Sequence, residues 1–355
     1  MCCIMLKGMV QHIITASQLI NTMKKRIILI MAILLQIGAI SQLKAQIDPH
    51  FSQYYAYPLY LNPALTGVIN GDTRVNANFK NQYATINNAY QTGALSVDFR
   101  PTDKVGVGFN VLNQAAGDVG YNYFAAYGSF GYAISVSNDG YKKVSFGVQA
   151  GVINRSFDPS KAQFGSQFNP SSGFDPTLPT NENFLNTNAT VFDAGAGVFY
   201  YDGDPLHNAN LFGGISVGHL SRSKDPFAVD GSSSKIPLRY TIHAGVRIKA
   251  SDFFDVIPHA VYIRQQKAEE KAVGAYSELK LQDDKGLILG GMYRFKDAAI
   301  ANVGYHVSSL IIGASYDFNT SSLTRATSGN GGIELSISYV FRKRIQEPDA
   351  ICPRL

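Results

Sequence analysis

The sequence predicts an all-β protein, a transmembrane antiparallel up-and-down β-barrel of outer-membrane type with about 14 strands. Three observations carry that reading. From residue 72 onward, apolar and polar residues alternate with period two, and no stretch keeps a 3.6-residue stripe. Most alternating segments reach the roughly 9–11 residues that a tilted strand needs to cross a bilayer, where soluble strands average nearer five or six. The connections also sort by parity. Counted in order, the long ones (156–188, 222–235 and 320–330) are all odd, whereas the even ones are mostly tight turns such as Pro101-Thr102-Asp103 and Ser251-Asp252. Outer-membrane barrels place long loops on one rim and short periplasmic turns on the other. The parity therefore puts both termini in the periplasm.

Composition agrees. The chain has 355 residues, 33 Gly, no Trp, 16% charged residues and a mean hydropathy of −0.04. That hydropathy excludes a multi-span helical membrane protein but not a barrel, whose alternating strands average to about zero. The formal charge of +5 comes from the leader. Five of the 31 basic residues and none of the 26 acidic ones fall in the first 45 positions, which leaves the remainder neutral and removes support for nucleic-acid binding.

Along the chain, residues 1–22 read as a non-native upstream start. Met23-Lys24-Lys25-Arg26, the apolar run Ile27 to Ile40 and the small residue Ala45 have the order of a signal peptide over 23–45, cleaved near Ala45-Gln46. After cleavage the only thiol is Cys352. Residues 46–71 form an aromatic, proline-containing segment. Pro49, Pro58 and Pro63 exclude a regular helix or central strand, and Phe51, Tyr54, Tyr55, Tyr57 and Tyr60 require packing against or inside something, in the periplasm or the lumen.

Residues 72–342 hold the barrel. The last strand is the clearest: Ile333, Leu335, Ile337, Tyr339 and Phe341 share one face and Glu334, Ser336 and Ser338 the other. Apolar faces suit lipid, and Tyr and Phe near strand ends (Tyr293, Phe295, Tyr316, Phe318) suit interfacial girdles. Charges are costly on the lipid face, so Arg239, Arg247, Arg264, Glu278, Lys280, Arg294, Asp317 and Glu334 are assigned to the lumen, with Asp98, Arg100 and His243. Residues 343–355 form a periplasmic tail.

No chemistry stands out. There is no nucleophile elbow, zinc-helix motif, phosphate loop or Cys-x-x-Cys, so no catalytic residue, metal ligand or cofactor is assigned and the protein is read as a non-enzyme. Gly-x-Gly pairs such as Gly106/Gly108 and Gly195/Gly197 are read as close packing and curvature of a barrel wall. The loop 156–188 carries Phe157, Phe164, Phe168, Phe174 and Phe184 among Pro, Asn and Asp. These rings either fold over the barrel mouth or meet a partner, and they are the candidate partner-binding residues.

The opening Asp48-Pro-His-Phe-Ser-Gln-Tyr-Tyr-Ala-Tyr-Pro-Leu-Tyr-Leu-Asn-Pro-Ala-Leu-Thr-Gly67, the Gly- and Tyr-rich strands and the terminal strand Ile333 to Phe341 resemble the PorP/SprF family of the Bacteroidota type IX secretion system. The resemblance covers about residues 46–355, and its family motif falls on Phe51, Ser52, Gln53, Tyr54, Pro58, Leu59, Asn62, Pro63 and Gly67. It implies an outer-membrane barrel without enzymatic activity. It also implies work with secreted proteins carrying a C-terminal sorting domain, gliding adhesins among them, and contact with periplasmic parts of the secretion machine. The rival reading is an outer-membrane channel for small or apolar solutes, similar to fatty-acid transporters with an N-terminal segment in the lumen.

Overall fold

The computed structural model describes residues 48–342 except 86–89, 181, 183–185, 226, 228–234 and 283. The leader, its cleavage point, Phe184 and the tail 343–355 lie outside the described residues.

Among the described residues, fourteen antiparallel strands close into a barrel. They are β1 (Thr73–Gln82), β2 (Tyr90–Phe99), β3 (Val105–Ala116), β4 (Tyr121–Ser135), β5 (Lys142–Ser156), β8 (Asn188–Asp202), β9 (Ala209–Gly218), β10 (Arg239–Lys249), β11 (Phe254–Gln265), β12 (Ala268–Gln282), β13 (Lys285–Arg294), β14 (Ala298–Val307), β15 (Leu310–Asn319) and β16 (Asn330–Phe341). Each strand pairs with its chain neighbour, and β1 closes on β16 with Thr73 opposite Phe341. Two-residue strands β6 (Phe168–Asn169) and β7 (Gly173–Phe174) make a small hairpin between β5 and β8.

The period-two pattern becomes two faces. In β16, Ile333, Leu335, Ile337 and Phe341 are each about half exposed, whereas Glu334 and Ser336 are buried. The same holds around the ring, which gives the outer wall a continuous apolar surface that only lipid can cover. Ring pairs mark both interfaces. Tyr293–Phe295 and Tyr316–Phe318 stand at the long-loop ends of β13 and β15, and Tyr339–Phe341 at the opposite end of β16. With lipid on the outside and girdles at both edges, the barrel sits in the outer membrane, where barrels of this type turn their short-turn rim to the periplasm.

One assigned lumen charge is on the other face. Along β11, Ile257, His259, Val261, Ile263 and Gln265 are buried, so Arg264 points outward and is exposed. It stands opposite Glu269 at the long-loop end of the strand, and its Nε donates to the Gln266 carbonyl. Nearby, Lys271 pairs with Glu269 and lies over the Tyr262 ring. A charge at the strand's tip is beyond the hydrocarbon, where its cost on the outer face falls to about 0–1 kcal/mol. Polarity alone therefore does not force it inward.

The lipid face makes a direct prediction. Leu335→Arg, at the middle of β16, is expected to cost about 2–4 kcal/mol of barrel stability in bilayers, measured by reversible denaturant unfolding.

Candidate functional site: the filled lumen

Residues 48–71 run down the inside of the ring. Pro58 opens a single helical turn, α1 (Pro58–Leu61), where its missing N–H costs nothing. Asn62 then caps the 3₁₀ turn Pro63–Leu65, its side chain accepting from the Ala64 N–H. This irregular backbone is tolerated at membrane depth because the wall satisfies it. Phe51, Tyr57, Leu59, Leu61, Ala64 and Leu65 are all buried against the inner wall.

At the long-loop end, Glu334 accepts both the Ser52 N–H (2.6 Å) and the Gln53 N–H (2.9 Å). The Ser52 hydroxyl donates to Asp317 (2.7 Å) and accepts from Lys80 (2.9 Å) and Arg294 (3.2 Å). Arg294 also donates to Asp317 at 2.8 Å, and Lys80 lies 3.5 Å from the same carboxylate. Four charged groups from β1, β13, β15 and β16 thus converge on one hydroxyl and two backbone amides. The Gln53 carboxamide bridges Ser315 and Ser336.

Lower down, the Tyr54 hydroxyl meets His259 Nδ1 at 2.6 Å, and the Tyr57 hydroxyl donates to the Val111 carbonyl at 2.7 Å. The Asn62 amide donates to the Val198 carbonyl (3.1 Å) and contacts His243 Nε2 (3.2 Å). At the periplasmic end, the Gly67 N–H donates to Asp98, which Arg74 also holds at 3.0 Å. Gly67 has φ +76°, and a Cβ there would stand 2.5 Å from the Gly106 Cα. Glycine is the residue that suits both the left-handed backbone and the close approach.

The wall is cut to receive this segment. Gly106, Gly131, Gly147 and Gly197 stand directly opposite one another across β3, β4, β5 and β8. A Cβ on each would come within about 2.0–2.4 Å of Thr66, Ala64, Pro63 or Asn62 atoms. These glycines form a row without side chains in which residues 62–67 lie. The sequence reading took Gly106 and Gly197 as wall packing and curvature; the neighbour they pack against is the inserted segment.

Asp48 meets His219 beside the long-loop rim. The imidazole contacts Asp48 at 2.6 Å and Asp193 at 2.9 Å. His219 follows β9 with φ +59°, a left-handed conformation that turns the ring between the two carboxylates. Burial opposes charge on both groups, and the opposite charges outweigh it: Asp48 is held down at about 2 and His219 up at about 10. The segment therefore spans the lumen from the outer end to the periplasmic end. Parity places the start of β1 at the periplasmic rim but does not reveal that the preceding chain climbs back to the opposite rim.

Every residue of the N-terminal motif lies in this segment, and Ser52, Gln53, Tyr54, Asn62 and Gly67 supply its polar ties. Of the assigned lumen charges, Arg294, Asp317 and Glu334 form the Ser52 node. Arg239 lies over the Tyr60 ring at 4.4 Å. Arg247 and Lys280 share Asp255, and Glu278 pairs with His306. The sequence reading did not single out Lys80, Asp193, Asp255 or Glu270, which also face inward; Phe192 and Ala194 beside Asp193 and Phe254 and Val256 beside Asp255 give the alternation signal, whereas Glu270 lies between the charged Glu269 and Lys271 and carries no such signal.

The loop rings are separate from the lumen site. Phe157 packs on Phe227 at 5.5 Å, and Phe168 pairs with Phe174 across the β6–β7 hairpin at 5.6 Å. Phe168 is 52% exposed.

Two outcomes are expected. Gly147→Val should expel residues 62–67 from the row and raise single-channel conductance, with the barrel's heat-modifiable migration retained. The Asp48–His219 tie should loosen at alkaline pH. The contribution of His219 is fully present below its free value of 6.5 and is lost as pH rises through about 10. The contribution of Asp48 is present above 3.8 and is lost as pH falls through about 2. Histidine NMR titration should show the His219 value falling by more than one unit in Asp48→Asn; an unchanged value would refute the tie.

Comparison with known proteins adds the family. Solved structures similar to the chain include the Ralstonia pickettii toluene transporter TbuX, with TM-score 0.48, 10% identity and coverage of 80% of this chain and 92% of that one. The P. putida toluene transporter TodX is similar at TM-score 0.46, 10% identity and coverage of 80% and 93%. No curated protein matches. The family model described as type IX secretion system membrane protein PorP/SprF matches residues 43–339. With that match spanning nearly the whole barrel and its lumen segment, the chain belongs to the PorP/SprF family of type IX secretion system membrane proteins.

Proposed function

We propose that this outer-membrane protein is a non-catalytic scaffold that binds or anchors a secreted surface protein carrying a C-terminal sorting domain. The observation that carries the reading is the lumen segment tied to the wall from one rim to the other. A wall whose interior is bonded at several heights to its own chain is built to hold a shape, not to pass solutes. The long connections that leave β5 and β9 start from the rim away from the periplasm, and the first of them presents Phe168 to solvent. Aromatic residues are the side chains that most often anchor protein interfaces. The opposite rim, with its short turns, faces the periplasmic parts of the secretion machinery.

The buried histidines support a non-catalytic role. His219 is clamped between two carboxylates, His243 stacks on Phe199, His259 meets Tyr54, and His306 meets Glu278 and the Ser308 carbonyl. None is presented to a serine nucleophile in the way acyl transfer requires.

Tagging the protein in its native host, extracting it in mild detergent and identifying what stays bound tests the proposal. The expected partner is a large secreted protein with a C-terminal sorting domain, and its loss on deletion of 156–188 from a still-folded barrel is the expected second result. A barrel that retains no partner after cross-linking, and that conducts small solutes with residues 48–67 in place, would transfer the assignment to the channel reading.

A further inference from the structure

The inserted segment does not fill the whole lumen. Beside β11–β16, a cavity of about 320 Å³ lies between the segment and the periplasmic rim. Its apolar and aromatic lining comes from Tyr55 and Ile69 of the segment and Phe212, Ile257, Tyr276 and Ile288 of the wall. Its mouth carries Lys280, Lys285 and Arg342 at the ends of β12, β13 and β16.

The charge balance of the lining is one-sided. It holds five cations, with Arg74 and Arg247 added to the three at the mouth, against the two carboxylates Asp255 and Glu278. Asp255 serves both Arg247 and Lys280, Glu278 serves His306, and Arg74 is held by Asp98. Among the described residues, Lys285 and Arg342 have no ion-pair partner.

Asn302 of β14 stands opposite Gly290, which in turn stands opposite Tyr276. It is 8% exposed and lines the cavity, and neither its carboxamide oxygen nor its nitrogen has a hydrogen-bond partner among the described residues. A buried carboxamide with both a donor and an acceptor open is matched by another amide, which offers one of each. A carboxylate on an alkyl chain offers only acceptors.

We infer that this cavity is a binding site for an acidic peptide segment entering from the periplasm. Asn302 pairs with a backbone amide, an apolar side chain seats against Tyr55, Tyr276 and Ile288, and a flanking carboxylate meets Lys285 and Arg342 at the mouth. The segment belongs to a periplasmic polypeptide. This site is independent of the outer loops that hold the surface protein, and its failure would leave that reading intact.

The test uses the full chain in nanodiscs and fluorescence anisotropy with three probes. These are a labelled, end-blocked pentapeptide Asp-Leu-Ala-Phe-Glu, its counterpart with Lys at both ends, and decanoate as competitor. The acidic peptide is expected to bind about ten-fold or more tighter than the basic one, with the gap narrowing in high salt. Lys285→Glu should weaken the acidic peptide by about ten-fold. Asn302→Leu, which removes the amide pairing and leaves the charges in place, should weaken both peptides. Heat-modifiable migration confirms that each variant is folded. Equal binding of the two peptides would overturn the proposal. So would full displacement by decanoate combined with indifference to Asn302→Leu, since that result assigns the cavity to a fatty carboxylate.

Discussion

A ring of fourteen strands encloses more space than its inward side chains can fill, and everything else in this molecule follows from how that space is occupied. Larger barrels leave a water-filled channel and smaller ones close over their own side chains. This chain places its own residues 48–67 inside. The solution needs complementary surfaces. On one side of the lumen the wall loses its side chains, at Gly106, Gly131, Gly147 and Gly197, so that backbone can lie against backbone. On the other side the wall gains charge, and Glu334, Asp317, Lys80 and Arg294 reach Ser52 and Gln53. Neither surface has a purpose without the other.

The charged node has a stability cost, because each ion must leave water. Its contribution is positional. An apolar contact would tolerate sliding of the segment along the wall. Two backbone amides on one carboxylate, and one hydroxyl shared among three charged groups, hold at a single register. The Asp48–His219–Asp193 tie fixes the outer end and the Asp98–Gly67 tie fixes the periplasmic end. Both the binding surface proposed on the outer rim and the cavity on the periplasmic rim depend on a lumen segment that does not move between them. The first needs a rigid frame for its loops, and the second uses Tyr55 and Ile69 as part of its lining.

Much of this was legible in the sequence, for identifiable reasons. The period of two in segments such as Ile333 to Phe341 reports which face a residue occupies, so the barrel and the inward placement of Arg239, Glu278, Arg294, Asp317 and Glu334 follow from it. Loop parity reports the rim. Neither reports height. Arg264 has the chemistry of a lumen residue, and only its position at the tip of β11 allows it to face outward. The glycine row shows the limit most clearly. A glycine announces a missing side chain, and four of them in register become meaningful only once the pairing of β3, β4, β5 and β8 is known. Phe51, Tyr54 and Tyr57 signalled that residues 46–71 must pack somewhere. The direction of travel up the lumen depends on partners some 170–280 positions later in the chain, beyond the reach of any local pattern.

The separation between Ser52 and Glu334 is 282 positions. The segment is therefore synthesised first, while the carboxylates that hold Ser52 and Gln53 belong to the last two strands of the ring. Contacts so distant in sequence are slow to form, because the chain between them must be organised before they give any return. Until β15 and β16 arrive, Ser52 and Gln53 lack the two carboxylates that hold them, and β1 has no neighbour on one edge. Seam closure and the locking of Ser52 and Gln53 thus become a single late event, and a chain truncated before Asp317 would be missing both the final seam and the charged node at Ser52.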